Sequence, residues 1–360
     1  MKLADYKENK DFVCVGTGLL ALDVILNGRP ETPPKFQAGG SCGNVLTILS
    51  YLGCRSFPIA RLADNRASIE LLSDLKMWDV ITDLIVSKKE GSTPIIIHRI
   101  FKGKDGKSKH KFEFKDPSTG IWLPQYKPVI AKDVDEITKK HPNANVFYFD
   151  RVNRASIELA KYNKSNGALV VFEPSSIKDI KLFKQALEVS HILKFSKDRI
   201  NNYQELFPDQ QTILEIETLG QDGLQYRFSK TRKAKNWKRV VSYKLDDDFI
   251  KDSAGAGDWC TSGIIYLLGT NGFESFSNML TSDIENALQY GQALGAINCC
   301  FDGARGIMYK KDRNDLDKAV SCLQQRSEYN AFIEFLSDSN TTKKSITHDL
   351  PSITSLFNLG

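Results

Sequence analysis

The order of apolar segments predicts an α/β protein, a three-layer sandwich around a mostly parallel sheet with a small β-sheet lid. Three observations lead there. Short apolar runs of strand length alternate with longer helical stretches through most of the chain, the pattern that builds right-handed βαβ units. Two glycine-rich loops, 37–44 and 252–258, run straight into apolar helical stretches. Two strand-like segments flank a Lys-Gly-Lys-Asp-Gly-Lys turn at 102–107, which reads as an inserted hairpin.

Composition bounds the class. A chain of 360 residues that is 41% hydrophobic can bury a substantial core. The 49 basic and 44 acidic residues leave a net charge of +5. Basic residues concentrate at 102–115 and 230–239 without the aromatic interleaving of a base-stacking platform, so no nucleic-acid partner is expected. No apolar run reaches membrane-spanning length, and residues 1–10 are polar, so neither a membrane anchor nor a signal peptide is expected. The seven cysteines are scattered, with no C-x-x-C. They read as buried free thiols of a cytoplasmic protein.

In chain order, Asp11–Gly16 is a buried strand. Gly16-Thr-Gly-Leu-Leu-Ala21 has dinucleotide-fingerprint spacing, but that motif needs a helix immediately after it. Residues 20–26 alternate instead, and Pro30, Pro33 and Pro34 forbid a helix. Asp23 therefore projects from a strand or loop at the sheet's end, where a carboxylate can accept from adjacent hydroxyls or simply close a turn. Gly39 and Gly40 allow close backbone approach, Asn44 can donate and accept, and Val45–Gly53 continues as a helix. Ser56–Leu62 is a strand, Asp64–Met77 a helix, and Thr93–Phe101 with Lys109–Phe114 the hairpin. Residues 116–128 form a loop and Ile130–Lys140 a helix.

Ala144–Phe149, Ala168–Phe172, Ser190–Phe195 and Thr212–Glu217 are successive strands, with Arg154–Asn163 a helix between the first two. Ligands gather at the carboxyl ends of such strands. Arg151 and Glu173 sit there, Arg151 suited to a phosphate and Glu173 to a metal-bound water, each equally suited to a structural salt bridge. Thr218-Leu-Gly-Gln-Asp-Gly223 is a turn whose glycines let backbone pass beside a ligand. Leu224–Phe228 and Val240–Leu245 read as edge strands around a basic loop, and Thr281–Asn298 as a helix rich in small residues. From about residue 315 one or two amphipathic helices precede a polar tail to which no chemistry is assigned. No internal repeat or low-complexity block is read, and no Walker A motif is present.

Asp252-Ser-Ala-Gly-Ala-Gly-Asp258 carries the chemistry. Small residues ahead of an apolar helix leave bare N–H groups and a positive dipole end, an anion site. Asp258, in the first turn, lies beside that site. A carboxylate can take an alcohol proton while the amides of Gly255, Ala256 and Gly257 hold the charge on a moving phosphoryl group.

This stretch resembles the D-[ST]-x-G-A-G-D signature of the PfkB (ribokinase-like) carbohydrate kinase family, and Gly39, Gly40 and Asn44 resemble its N-terminal signature. The resemblance spans about residues 10–310. It implies a ribokinase-like domain over 1–330, with lid segments at about 18–37 and 92–126 and a C-terminal helix and tail at 331–360. The implied activity is ATP- and magnesium-dependent phosphorylation of a hydroxyl on a small sugar or polyol. Asp258 is then the base, and Asp23, Gly39, Gly40 and Asn44 bind the sugar. Thr218, Gly220, Gly223 and Asn298 bind the nucleotide, and Asp252 lies beside a monovalent cation site where potassium would activate. Small-molecule sugar and ATP are the expected partners, with a homodimer through the lid considered. One departure stands out: Ser196 and Arg199 occupy the positions of the family's magnesium-organising N-x-x-E. It keeps a non-catalytic sugar- or nucleotide-binding relative open beside a nucleoside kinase on the same fold.

Overall fold

Side-chain alternation along the strands separates two cores. A computed structural model describes residues 11–26, 32–102, 108–325, 329–337, 343, 345–350 and 352–357. The first half holds β1 (Val13–Thr17), β2 (Ala21–Leu26), β3 (Lys35–Gly39), α1 (Ser41–Tyr51), β4 (Arg55–Leu62), α2 (Arg66–Met77), β5 (Ile85–Ser87), β6 (Ile95–Lys102), β7 (Ser108–Glu113), α3 (Val134–Lys140), β8 (Val146–Phe149), α4 (Arg154–Ser165) and β9 (Leu169–Phe172). Then come α5 (Ile180–Val189), β10 (Ile192–Ser196), α6 (Tyr203–Leu206), β11 (Leu214–Thr218), β12 (Leu224–Phe228), β13 (Lys238–Val240), α7 (Ala256–Gly269), α8 (Gly272–Asn278), α9 (Thr281–Asn298), α10 (Arg313–Gln325), α11 (Tyr329–Ser337) and β14 (Ile346–Thr347).

The large sheet has the order β13-β12-β11-β10-β9-β8-β1-β4-β5. It is parallel from β11 to β5, and β12 and β13 turn antiparallel at one edge. Val13, Val15, Phe147, Phe149, Val170 and Phe172 face one core, shared with Leu159 of α4 and Phe183 of α5. Cys14, Tyr148, Leu169 and Val171 face the other, shared with α1, α7 and α9. Helices thus cover both faces, as a parallel sheet requires. From β1 the chain winds to β4 in one direction and later returns through β8 in the other. Strand order reverses there, the place where open α/β sheets bind ligands.

The second sheet, β14-β3-β2-β6-β7, is the expected lid. Its Leu22, Val24, Phe36, Ala38, Ile95 and Ile97 are buried in the same core as α1 and α2. The centre of the predicted hairpin turn, 103–107, lies outside the described residues. The tail contributes structure: Ile346 and Thr347 pair antiparallel with Phe36 and Lys35, His348 stacks on Phe36 with centroids 4.4 Å apart, and Leu356 is fully buried. Two residues were too short a run to register as a strand in a polar stretch.

Other boundaries moved for local reasons. Of the predicted edge strand at 240–245 only Val240 joins the ladder; beyond it Gln292 of α9 donates to Val241 O and Ser242 donates to Gln221 O, so side chains replace strand pairing. One repeat went unread: Asn-Arg-Ala-Ser-Ile-Glu-Leu occurs at 65–71 and at 153–159. Both copies cap a helix with the Asn side chain, its carboxamide oxygen accepting from the Ser68 amide at 3.1 Å and from the Ser156 amide at 3.0 Å, and only the second adds the reciprocal bond from the Asn153 amide to Ser156 Oγ at 3.0 Å.

Candidate active site

The loop at 252–258 reaches α7 through Gly255, which has φ +74°; a Cβ there would lie 2.1 Å from Ala304 O, so glycine is required twice over. No side chain caps α7. Its first-turn amides at Gly257 and Asp258 have no partner within the helix. The Ala256 amide, expected among the free donors, instead closes on Ser253 O at 3.3 Å. Of the three expected donors, the Gly255 and Gly257 amides are left for an anion, and the Asp258 amide joins them.

Asp258 projects beside these amides. Asn44 Nδ2 donates to its Oδ2 at 2.8 Å, joining two residues 214 positions apart. Burial pushes the Asp258 carboxyl up to about 7; Glu173 adds to the rise, while Asn44, Lys194 and Arg199 pull against it. Asn44 is 5% exposed, and its Oδ1 has no hydrogen-bond partner.

The predicted sugar residues meet on the lid. β2 pairs antiparallel with β3, and the Asp23 carboxylate lies across the bare Cα of Gly39, where a Cβ would sit 2.1 Å from Oδ2. Asp23 Oδ1 is buried and unpartnered. Burial lifts this carboxyl to about 7 against the Arg305 charge, with Asp74 adding to the rise. Gly40 then caps α1, whose first turn ends at Asn44. Two buried acceptor oxygens therefore stand without donors on either side of Gly39: Asp23 Oδ1, on β2 beside β3, and Asn44 Oδ1, five residues past Gly39 in α1.

Glu173 is fully engaged. Its carboxylate accepts from Lys194 Nζ at 2.6 Å, Tyr148 OH at 2.9 Å and Thr261 Oγ1 at 2.8 Å. Lys194, 3% exposed, also reaches Gly257 O at 3.4 Å. Burial alone would lower the Lys194 ammonium, but Glu173 outweighs it and holds the charge. Lys194, Tyr148 and Thr261 were missed by sequence reasoning. A lysine inside the apolar strand Ser-His-Ile-Leu-Lys-Phe was the one legible signal, because buried lysine needs a partner. Arg151 pairs with Asp150 at 2.8 Å rather than standing free.

The remaining predicted residues fall into two groups. Thr218, half-buried, donates to Phe195 O at 3.4 Å, and Gly220 and Gly223 bracket the β11–β12 turn, all at the carboxyl end of β11 next to β10. Asn298 is wholly buried; its amide donates to Ala254 O at 3.1 Å and Ala304 O at 3.3 Å. It braces the signature loop, and its Oδ1 has no hydrogen-bond partner. Asp252 likewise spends both oxygens on the loop, accepting from the Ala254 and Gly303 amides at 2.9 Å each. Among the described residues, no group of three or more His, Cys, Asp or Glu is placed to hold a metal.

No protein-family model matches the chain. Mouse ketohexokinase is 28% identical over 94 residues, a match covering 24% of this chain and 32% of the ketohexokinase, so the chain spans about a third of that relative's length. Solved structures match almost end to end. An uncharacterized sugar kinase from Pyrococcus horikoshii superposes with a TM-score of 0.61 at 18% identity, covering 90% of this chain and 100% of its own. Fructokinase from Vibrio cholerae, bound to fructose, ADP and calcium, gives 0.62 at 17%, covering 85% and 97%. Aminoimidazole riboside kinase from Salmonella enterica gives 0.61 at 16%, covering 86% and 99%. What these proteins share with this chain is the fold.

Proposed function

From the ribokinase-like fold that this chain shares with the PfkB sugar kinases, we propose that it transfers the γ-phosphoryl group of ATP to a hydroxyl of a small sugar or related polyol. The observation that carries the reading is the pairing of Asp258 with bare amides at the start of α7, with Asn44 holding the carboxylate at 2.8 Å. A carboxyl near 7 is roughly half ionised at neutral pH and well matched to accept a hydroxyl proton.

In this mechanism Asp23 and Asn44 take the sugar's hydroxyl protons in hydrogen bonds through the two oxygens that have no partner. Asp258 takes the proton of the reacting hydroxyl. The hydroxyl oxygen of the sugar bonds to the γ-phosphorus, the bond to the β,γ-bridging oxygen breaks, and ADP leaves. The Gly257 and Asp258 amides stabilise the charge on the moving group from a fixed position, with no reorganisation cost. In this reading exposed Arg199, whose charge already acts on Asp258, meets phosphate oxygens. The lid excludes water that would otherwise compete for the phosphoryl group.

Magnesium fits this chain poorly as a protein-held ion. Glu173 already accepts from three donors, among them the Lys194 ammonium whose charge it balances, and Ser196 and Arg199 supply no carboxylate. Magnesium accompanies ATP in this reading, and no step runs through a protein ligand set. Asp252, turned into the loop, gives potassium activation no support beyond the resemblance. A homodimer through the lid is favoured by the side chains at its outer end, where Phe112, Phe114 and Trp122 are 48%, 52% and 59% exposed.

The test is ADP release from MgATP across ketoses, aldoses, sugar acids, polyols and nucleosides, with Asp258→Asn as control. One acceptor class should turn over, and the variant should lose at least ~100-fold in kcat with binding retained. Turnover only with nucleosides would move the substrate class. The occupied Glu173 favours one rival, a sugar- or nucleotide-binding protein without turnover. Thermal shifts by MgATP with no ADP from any acceptor would establish that rival.

A further inference from the structure

The turn at Gly303–Arg305 touches both halves of the candidate site. On the phosphate side, the Gly303 amide donates to Asp252 Oδ2 at 2.9 Å. Ala304 O accepts from Trp259 Nε1 at 3.2 Å and from Asn298 Nδ2 at 3.3 Å, and lies so close to Gly255 that no side chain could fit between them. On the sugar side, Arg305 Nη2 donates to Ala38 O at 2.6 Å and to Asp74 Oδ2 at 2.5 Å, and the same Asp74 oxygen accepts from the Ala38 amide at 2.8 Å. The ion pair therefore occupies both backbone groups of Ala38, at the edge of β3 where β14 covers only Lys35 and Phe36. Tyr309 OH donates to Asp74 Oδ1 at 2.9 Å and accepts from Trp78 Nε1 at 3.3 Å, which seats the acid on α2.

We propose that Arg305 is a positioning residue that couples the sugar-facing strand β3 to the anion loop, so that filling the nucleotide side of the site tightens the sugar side. The coupling rests on the kinase reading above. Its physical basis is a short covalent lever. Ala304 is packed on Gly255, and Arg305 next to it grips Ala38, which precedes the glycine that supports Asp23. The lever is rigid because Arg305 is 1% exposed and Asn298 holds the turn from behind. Arg305 Nη1 has no partner, and its charge is the one that opposes burial at Asp23, so the group also serves the sugar carboxylate electrostatically. A displacement of the loop when phosphates dock on the Gly257 and Asp258 amides moves the Arg305 grip on β3.

Hydrogen–deuterium exchange with MgADP as the probe tests this. In the wild-type protein, MgADP should slow exchange in the peptide covering 252–258 and, at least about 5-fold, in the peptide covering 35–40, the lower end of ordinary site-to-site coupling. In Arg305→Gln, MgADP should still protect 252–258 but no longer alter 35–40. A merely structural role would speed β3 exchange with and without MgADP alike and leave the ratio intact. Should Arg305→Gln fail to fold, Asp74→Asn keeps an oxygen for the Ala38 amide while removing the charge that holds Arg305, and it should show the same loss. Protection of 35–40 that survives in the variant, or is missing in the wild type while 252–258 is protected, overturns the coupling. No protection at either peptide means that nucleotide does not dock on α7, which removes the kinase reading and the coupling with it.

Discussion

On the kinase reading, Asn44→Ala should change the pH at which turnover sets in. The Asn44 amide donates to Asp258 at 2.8 Å, and that bond favours the ionised carboxylate. A hydrogen bond to a charged group contributes about 1.5–3 kcal/mol. At about 1.4 kcal/mol per unit, its loss raises the base by roughly 1–2 units. The acid limb of kcat should therefore move from about 7 to somewhere near 8–9. The sign follows from the chemistry: the base must be ionised to accept a proton, so activity disappears below the new value and returns above it. At neutral pH this predicts a kcat about five- to fifty-fold lower, recovering by about pH 10. The assay is ADP release at saturating sugar and MgATP from about pH 6 to about pH 10. Saturation matters because Asn44 also faces the sugar, and its loss should raise KM as well. A kcat that drops equally at every pH, with the acid limb still near 7, would refute the role of Asn44 in setting the base and leave it a sugar contact alone.

Two further substitutions probe the support of the site. Gly255→Ala forces a side chain into the left-handed region and against Ala304 O, so it should cost at least about 1–2 kcal/mol of stability and lower kcat, read by melting and by steady-state turnover. Unchanged values for both would mean that the loop is not as tightly packed as described. Lys194→Met strands the Glu173 carboxylate among Tyr148 and Thr261. Breaking a buried pair on one side costs about 3–5 kcal/mol, and Glu173→Gln in the same chain should restore most of the denaturant midpoint. A double variant as unstable as the single one would show that the pair's charges are not what matters.

Much of this architecture is local in origin. Short runs rich in apolar residues place β8, β9, β10 and β11 within one or two residues, because strands buried on both faces are mostly apolar; of the charged residues inside β10 and β11, Lys194 and Glu215 are buried as ion pairs with Glu173 and Arg227. The repeated Asn-Arg-Ala-Ser-Ile-Glu-Leu makes the point most directly, since the same cap and the same i,i+4 Arg–Glu pair form at both places despite different neighbours. The helix start after 252–255 was equally legible, because small residues running into an apolar stretch are visible in the sequence itself. Tertiary structure alone decided the partnerships. Asn44 meets Asp258 only because α1 and α7 pack side by side, Glu173 is spent on Lys194 only because β9 and β10 are neighbours, and Asn298 reaches Ala254 O and Ala304 O only because the end of α9 lies against the signature loop. Nor could the tail's two-residue strand be seen before β3 offered it an edge. Periodicity along a chain encodes which face of an element is buried. The side chain that waits on the other side of that face belongs to a distant segment, and it is set by the packing of the whole.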